Sequence, residues 1–177
     1  MSLGRVVDPR VADPRVADPK LTIQISRVRE NPNPLPLPQF MTSGASGCDV
    51  LADLKKPLKI KPGERALIPT GIAIAIPAGY EAQVRPRSGL AWKWGVTLPN
   101  TPGTIDSDYR GEIKVPLINL GKKTVTISRG DRIAQMVFQK VCLVEWKEVQ
   151  ALEETQRGEG GFGHTGIKTK NHRYERL

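Results

Sequence analysis

Residues 132 to 146 read RIAQMVFQKVCLVEW, and apolar side chains recur there with a period of two, the alternation of a strand that buries one face. The same period runs through LTIQISRV at 21 to 28, GIAIAIP at 71 to 77 and GEIKVPLINL at 111 to 120. Between these stretches NPNPLPLPQ, KPGER, IPAGY, LPNTPG and GKKT supply the Pro and Gly that tight turns require. Only SGLAWKWG at 88 to 95 and VQALEE near 149 to 154 have room for a short helix. Many short strands punctuated by turns predict an all-β sandwich, jelly roll or barrel rather than an alternating α/β fold.

The chain of 177 residues is long enough for one domain with tails and a single hydrophobic core. An apolar content of 38%, with 15 Pro and 17 Gly, again favours short strands and turns. The net charge of +9 attracts polyanions, a class that holds both nucleic acids and triphosphates, so charge alone does not choose between them. Cys48 and Cys142 lack CxxC spacing, which argues against a zinc site or a disulfide scaffold and for free thiols in a reducing compartment. No apolar run approaches the length of a membrane span and the N-terminus shows no apolar signal region. The expectation is a cytoplasmic protein with no membrane partner.

Residues 6 to 20 repeat a pentad, VVDPR VADPR VADPK, in which Pro recurs too often for a helix and little can be buried. Residues 1–20 are therefore predicted to be a disordered extension, 21–155 the β domain, 156–166 a mobile glycine-rich arm and 167–177 a basic tail. The arm, RGEGGFGHTG at 157 to 166, admits two readings. As a nucleotide clamp, its glycines would bring backbone N–H groups close to phosphates, Arg157 would pair with the terminal phosphate, Phe162 would stack on a base and Thr165 would donate a hydroxyl. As a flexible linker it needs no ligand. It is not a Walker A loop, because no GK[ST] follows.

Four other segments place polar groups where a β protein exposes loops. In SGASGCDV at 43 to 50, Asp49 begins a strand, and its carboxylate suits either a hydrated Mg²⁺ or a local Asx-turn. In RPRSGLAWKWG at 85 to 95, Arg87, Ser88 and Gly89 lie where a helix N-terminus would favour an anion, or where Ser88 is an ordinary cap. Trp92 and Trp94 there read as packing or subunit-contact residues. In NTPGTIDSDYRGEIKV at 100 to 115, Gly103 and Gly111 bracket a possible β-hairpin whose main chain can meet a base edge. Asp106 and Asp108 add carboxylates and Tyr109 a ring; a functional Asp would orient and deprotonate a water. In SRGDRIAQMVF at 128 to 138, the Gln135 amide among apolar residues must find partners, and Asp131 and Arg132 can form a surface ion pair.

Taken in order, GCD at 47 to 49, PRSGLA at 86 to 91, GTIDSDYRGEI at 103 to 113, GDRIAQ at 130 to 135 and RGEGGFGHTG at 157 to 166 resemble the five motifs of the trimeric dUTP pyrophosphatases, the dUTPases. The resemblance covers about residues 21 to 166. It implies a jelly-roll homotrimer with active sites shared among chains, hydrolysing dUTP to dUMP and pyrophosphate by water attack on the α-phosphorus with Mg²⁺ as cofactor. It implies Asp106 as the base and Tyr109 as the residue under the deoxyribose that leaves no room for a ribose 2′-hydroxyl. Asn100 and the backbone of Gly103, Thr104 and Ile105 would read uracil, with Lys114 bordering the substrate. Arg87, Ser88, Gly89 and Gln135 would hold phosphates, Asp49 would contact Mg²⁺ through water, and Arg157, Phe162, Gly163 and Thr165 would close over the nucleotide. The sequence departs from the family pattern at Cys48, where Tyr is usual, and at His164, where Ser is usual. A dCTP deaminase-like enzyme and a non-catalytic nucleic-acid-binding trimer are the alternatives, and no specific nucleic-acid partner is expected.

Overall fold

A computed structural model describes residues 21–162. The described chain falls into two units that divide between Leu143 and Val144. The first is built almost wholly of short strands. Strands β1 (Gln24–Arg27) and β5 (Ile72–Ala75) pair antiparallel, as do β3 (Leu58–Ile60) and β10 (Val125–Ile127). A four-stranded sheet runs β2 (Cys48–Leu51), β11 (Arg132–Lys140), β6 (Tyr80–Arg85), β8 (Gly103–Ile105), and a three-stranded sheet runs β4 (Arg65–Pro69), β9 (Lys114–Asn119), β7 (Val96–Thr97). Every one of these pairings is antiparallel. The predicted all-β class therefore holds, with one helix added.

The core is aliphatic. Val50, Ile60, Ile68, Val96, Val115, Leu117, Ile133 and Met136 are essentially sealed from solvent. Along β9, Val115, Leu117 and Asn119 point inward and alternate with more exposed neighbours, the period-two pattern seen in GEIKVPLINL. In β11 the alternation breaks, because Ile133 and Ala134 are both buried. The ladder to β2 shifts register between Arg132 and Ala134, and an extra residue at such a bulge changes which side chains face inward.

The one helix, α1 (Ser88–Trp94), lies where SGLAWKWG predicts it. Its N-cap is Arg87, which makes no side-chain cap bond, so the reading of Ser88 as a cap is corrected: Ser88 is the first helical residue. The helix stops at Gly95, whose φ of 70° is left-handed and whose N–H returns to the carbonyls of Leu90 and Ala91. It buries none of its residues, and Trp92 is 91% exposed, so a packing role for that ring against the described residues is excluded.

Three further expectations change. VQALEE is not helical, and Val149 and Leu152 are exposed; so short a segment has no apolar face packed to hold it helical. The alternation of RIAQMVFQKVCLVEW continues to Trp146, but the strand ends at Lys140 and Leu143 and Trp146 stand more than nine-tenths exposed. The bracket between Gly103 and Gly111 is not a hairpin. β8 pairs with β6 and β9 with β4 and β7, so the intervening residues carry the chain from one sheet to the other. Side-chain alternation does not encode which strand a segment will pair with.

Candidate functional site

The sheet-to-sheet crossing after β8 creates a cavity of about 330 Å³. Asn100, Gly103, Thr104, Ile105, Asp106, Tyr109 and Lys114 all line it, together with Leu67, Val84, Leu98, Glu112, Ile113 and Pro116. Its apolar wall comes from Leu67, Leu98 and Pro116, which the sequence reading did not single out. They come from β4, the loop after β7 and β9, and only the sheet topology brings them together. A concave, mostly apolar site with a few converging polar groups is the usual form of a small-molecule pocket.

Local hydrogen bonds fix the polar members. The Thr101 hydroxyl donates to the Leu98 carbonyl at 2.6 Å, closing the turn that carries Asn100. The Tyr109 N–H donates to the Asp106 carbonyl at 3.2 Å and makes a tight turn of residues 106–109. Arg110 Nη1 donates to the carbonyls of Ser107 at 2.6 Å and Tyr109 at 2.8 Å, bracing that turn from outside. The Tyr109 hydroxyl donates to the Glu112 carbonyl at 3.0 Å. The Asp106 carboxylate lies exposed in this cavity, a placement that leaves it open to a water.

The other predicted polar residues gather elsewhere. Asp49 on β2, Gln135 on β11 and Arg85 on β6 are in register across the four-stranded sheet. Asp49, whose side chain is 14% exposed, holds two guanidinium groups, Arg87 Nε at 3.0 Å from Oδ1 and Arg132 Nη1 at 3.2 Å from Oδ2. Arg87 Nη1 also donates to the Arg132 carbonyl at 3.1 Å, and Gln135 Nε2 donates to the Pro86 carbonyl at 3.0 Å. Asp49 therefore makes no Asx-turn, and Arg132 pairs with Asp49 rather than with Asp131, which instead accepts the Ser128 N–H at 2.7 Å. Two arginines against one carboxylate leave this cluster with an excess positive charge, suited to an anion. Arg87 and Arg132 line a cavity of about 360 Å³ beside α1, separate from the one around Asp106. Ser88 and Gly89 are exposed at the start of α1.

Among the described residues no group of three or more His, Cys, Asp or Glu side chains could cage a metal. The donor set nevertheless fits a hydrated Mg²⁺ that arrives with a polyphosphate. Such an ion takes few protein ligands, and each Asp49 oxygen keeps acceptor capacity beyond its single arginine contact. Cys48 precedes Asp49 and is buried, donating weakly to the Met136 carbonyl at 3.5 Å; burial pushes its thiol pKa up.

In the second unit, Arg157 Nε donates to the Gly160 carbonyl at 2.7 Å, and Phe162 is fully exposed with a φ of 40°. Gly163, His164 and Thr165 lie outside the described residues, as do the pentad extension and the basic tail. No helix among the described residues is long and apolar enough to cross a membrane.

Comparison with known proteins gives the same assignment as the motifs. The dUTPase family model matches residues 33–166, more than half of the chain. The deoxyuridine 5'-triphosphate nucleotidohydrolase of Caldanaerobacter subterraneus subsp. tengcongensis is 56% identical over 147 residues, 83% of this chain and 99% of that one. The enzyme of the same name from Desulfotalea psychrophila is 60% identical over 133 residues, 75% of this chain and 89% of that one. Among solved structures, a mutant dUTPase of Staphylococcus bacteriophage 80alpha, determined with dUpNHpp, superposes with a TM-score of 0.70 at 26% identity, over 82% of this chain and 99% of that one. A mutant dUTPase of S. aureus phage phi11, whose structure reveals coordination of a structural Mg(II) ion, shares the fold with a TM-score of 0.66 at 24% identity, covering 75% of this chain and 99% of that one. With the motif residues lining one cavity and one charged cluster in this fold, the chain belongs to the dUTPase family.

Proposed function

We propose that the protein hydrolyses dUTP to dUMP and pyrophosphate in the cytoplasm, as a homotrimer in which each site draws on more than one chain. The observation that carries this reading is the cavity after β8, which brings Asn100, the Gly103–Ile105 backbone, Asp106, Tyr109 and Lys114 together. Asn100 and that backbone pair with the uracil edge, and Tyr109 packs under the deoxyribose. Asp106 accepts a proton from the attacking water as the new oxygen–phosphorus bond forms at the α-phosphorus. The bond to the bridging oxygen breaks, and pyrophosphate leaves with its electrons.

Arg87, Ser88, Gly89 and Gln135 hold the phosphates, and Lys114 borders the substrate. Arg87 lines a separate cavity from the one around Asp106 within one chain, which supports a site completed by a neighbouring subunit. The dUTPase family uses Mg²⁺; here Asp49 and the triphosphate would hold it, and when bound it offsets phosphate charge. Arg157, Phe162, Gly163 and Thr165 close over the nucleotide and exclude bulk water.

The test is pyrophosphate release from dUTP, dCTP, dTTP and UTP by the wild-type protein and Asp106→Asn. Only dUTP should be turned over efficiently, and Asp106→Asn should bind dUTP but lose turnover by roughly 10²- to 10⁴-fold, the scale of general-base removal. Near-wild-type turnover by that variant would remove Asp106 from the role of base. Deamination of dCTP without pyrophosphate release would overturn the assigned reaction.

A further inference from the structure

Tyr109 is anchored through Glu112, which lines the same cavity, to groups that lie outside it. Its hydroxyl donates to the Glu112 carbonyl at 3.0 Å, and Glu112 is itself clasped from behind. The Glu112 Oε1 atom accepts from Arg29 Nη2 at 2.9 Å and from the Gly71 N–H at 2.9 Å. The next residue is fixed on both sides, because the Ile113 N–H donates to the Ile72 carbonyl at 2.9 Å and the Thr70 hydroxyl donates to the Ile113 carbonyl at 2.6 Å. Arg29 lies far away in sequence, just after β1, and is oriented in turn by Asp53, which also holds Arg129 at 3.0 Å. The side chain of Glu112 is 14% exposed while that of Arg29 is 40% exposed, so the carboxylate end of the contact is sheltered and the guanidinium end is open to solvent. Bonding to Glu112 pushes the already high pKa of the Arg29 guanidinium further up, so Arg29 keeps its positive charge over the working pH range.

The other side of the ring meets Gly111. A Cβ on that residue would collide with the Tyr109 hydroxyl oxygen and lie 2.6 Å from Cζ and 3.0 Å from Cε2. Gly111 is not in the left-handed region, so what it supplies is the space the ring occupies.

We infer that Arg29, Glu112 and Gly111 are positioning residues that set discrimination against ribonucleotides by fixing the Tyr109 ring against the sugar. The inference rests on the reading that Tyr109 is the residue under the deoxyribose. A 2′-hydroxyl is rejected by lack of space, and a steric wall discriminates only as well as it is held still. Freeing the Glu112 carbonyl, or pushing the ring away with an added methyl, gives the extra hydroxyl room.

The experiment measures kcat/KM for dUTP and for UTP with the full-length protein carrying Arg29→Met, Glu112→Ala, Gly111→Ala or Tyr109→Ala. The readout is the ratio of the two values, because an unfolded fraction lowers both equally and cancels. The ratio should fall about 5-fold for Arg29→Met and Glu112→Ala, the scale of one net hydrogen bond. It should fall further for Gly111→Ala and most for Tyr109→Ala, and Arg29→Lys should recover part of the loss. An unchanged ratio in Arg29→Met and Glu112→Ala, with Tyr109→Ala relaxed, would overturn the positioning role and leave the Tyr109 reading intact. An unchanged ratio in Tyr109→Ala would overturn the reading itself and the inference with it.

Discussion

Asn119 offers a measurable handle on how the site is held. It is the last residue of β9, the strand that begins at Lys114 in the Asp106 cavity, and it has no exposed surface. Its Nδ2 donates to the carbonyls of Ile60 and Lys123, both at 2.8 Å, and its Oδ1 accepts the Gly121 N–H at 2.9 Å. That amide therefore joins the end of β3 to the loop after β9, whose Leu120 N–H separately reaches the Gly95 carbonyl at 2.8 Å just after α1. Three hydrogen bonds at about 1 kcal/mol net each give a loss of about 3 kcal/mol for Asn119→Ala, before any cavity term. At 2–4 °C per kcal/mol for a chain of this size, Tm should fall by about 6–12 °C. Asn119→Asp separates bonding from packing: it keeps the volume and the acceptor for Gly121 but replaces both donors with acceptors facing two carbonyls. At neutral pH it should cost at least as much as the alanine. Urea unfolding at one fixed protein concentration is the suitable assay, since any protein that assembles has a concentration-dependent midpoint. Loss of less than about 1 kcal/mol in both variants would refute the claim that this amide ties β3 to the loop after β9. Activity per folded molecule at 25 °C should be unchanged, because Asn119 touches neither cavity.

Two other predictions concern assembly and the buried thiol. A chain ending at Glu154 lacks Arg157 and Phe162, and an Asp106→Asn chain lacks the base, so each alone should be nearly inactive, whereas co-refolding them should restore partial activity if sites are shared. Absence of recovery, with mixed trimers confirmed by native mass spectrometry, would assign base and arm to the same chain. Cys48 is buried with its pKa raised, so at pH 8 it holds less thiolate than an exposed thiol and should resist iodoacetamide until the protein unfolds; rapid labelling of native Cys48, read by peptide mapping, would contradict this.

The strands and the helix were legible because their signals are local: alternation in GEIKVPLINL, and a Gly95 stop after SGLAWKW. Pairing was not, because alternation says which face is buried and nothing about which strand lies alongside. That is why Gly103 and Gly111 read as the brackets of a possible hairpin, whereas the residues between β8 and β9 are a passage between two sheets. The same limit hid Leu67 and Pro116, which enter the cavity only because β4 pairs with β9. Asp49 was recognisable as a special carboxylate, but its two arginine partners were not, since Arg132 lies 83 positions away. Arg29 left no signal at all. Its importance comes from a clasp on Glu112, again 83 positions distant, and no short motif can express such a contact.

The four-stranded sheet also bears on why one chain would need another. Groups that act on the same phosphorus, or on the water attacking it, must lie within roughly 8 Å of each other, since each reaches its target over about 3 Å. Ile105 on β8 is opposite Ala82 on β6, which places Asp106 near the level of Glu81. Arg87 leaves the far end of the same strand, and six positions at about 3.3 Å per residue put it up to roughly 20 Å away. Asp49 is farther to the side, beyond β11 on the opposite edge of the sheet. Side-chain rotation cannot close such a gap, and a register shift would turn the buried face of β6 outward. The proposed base and the proposed phosphate cluster are thus each fixed by the ladder that separates them. In the proposed homotrimer, a neighbouring subunit presenting its Arg87 cluster to this chain's Asp106 cavity would satisfy both distances without moving either strand, and three-fold repetition of that contact would complete every site at once.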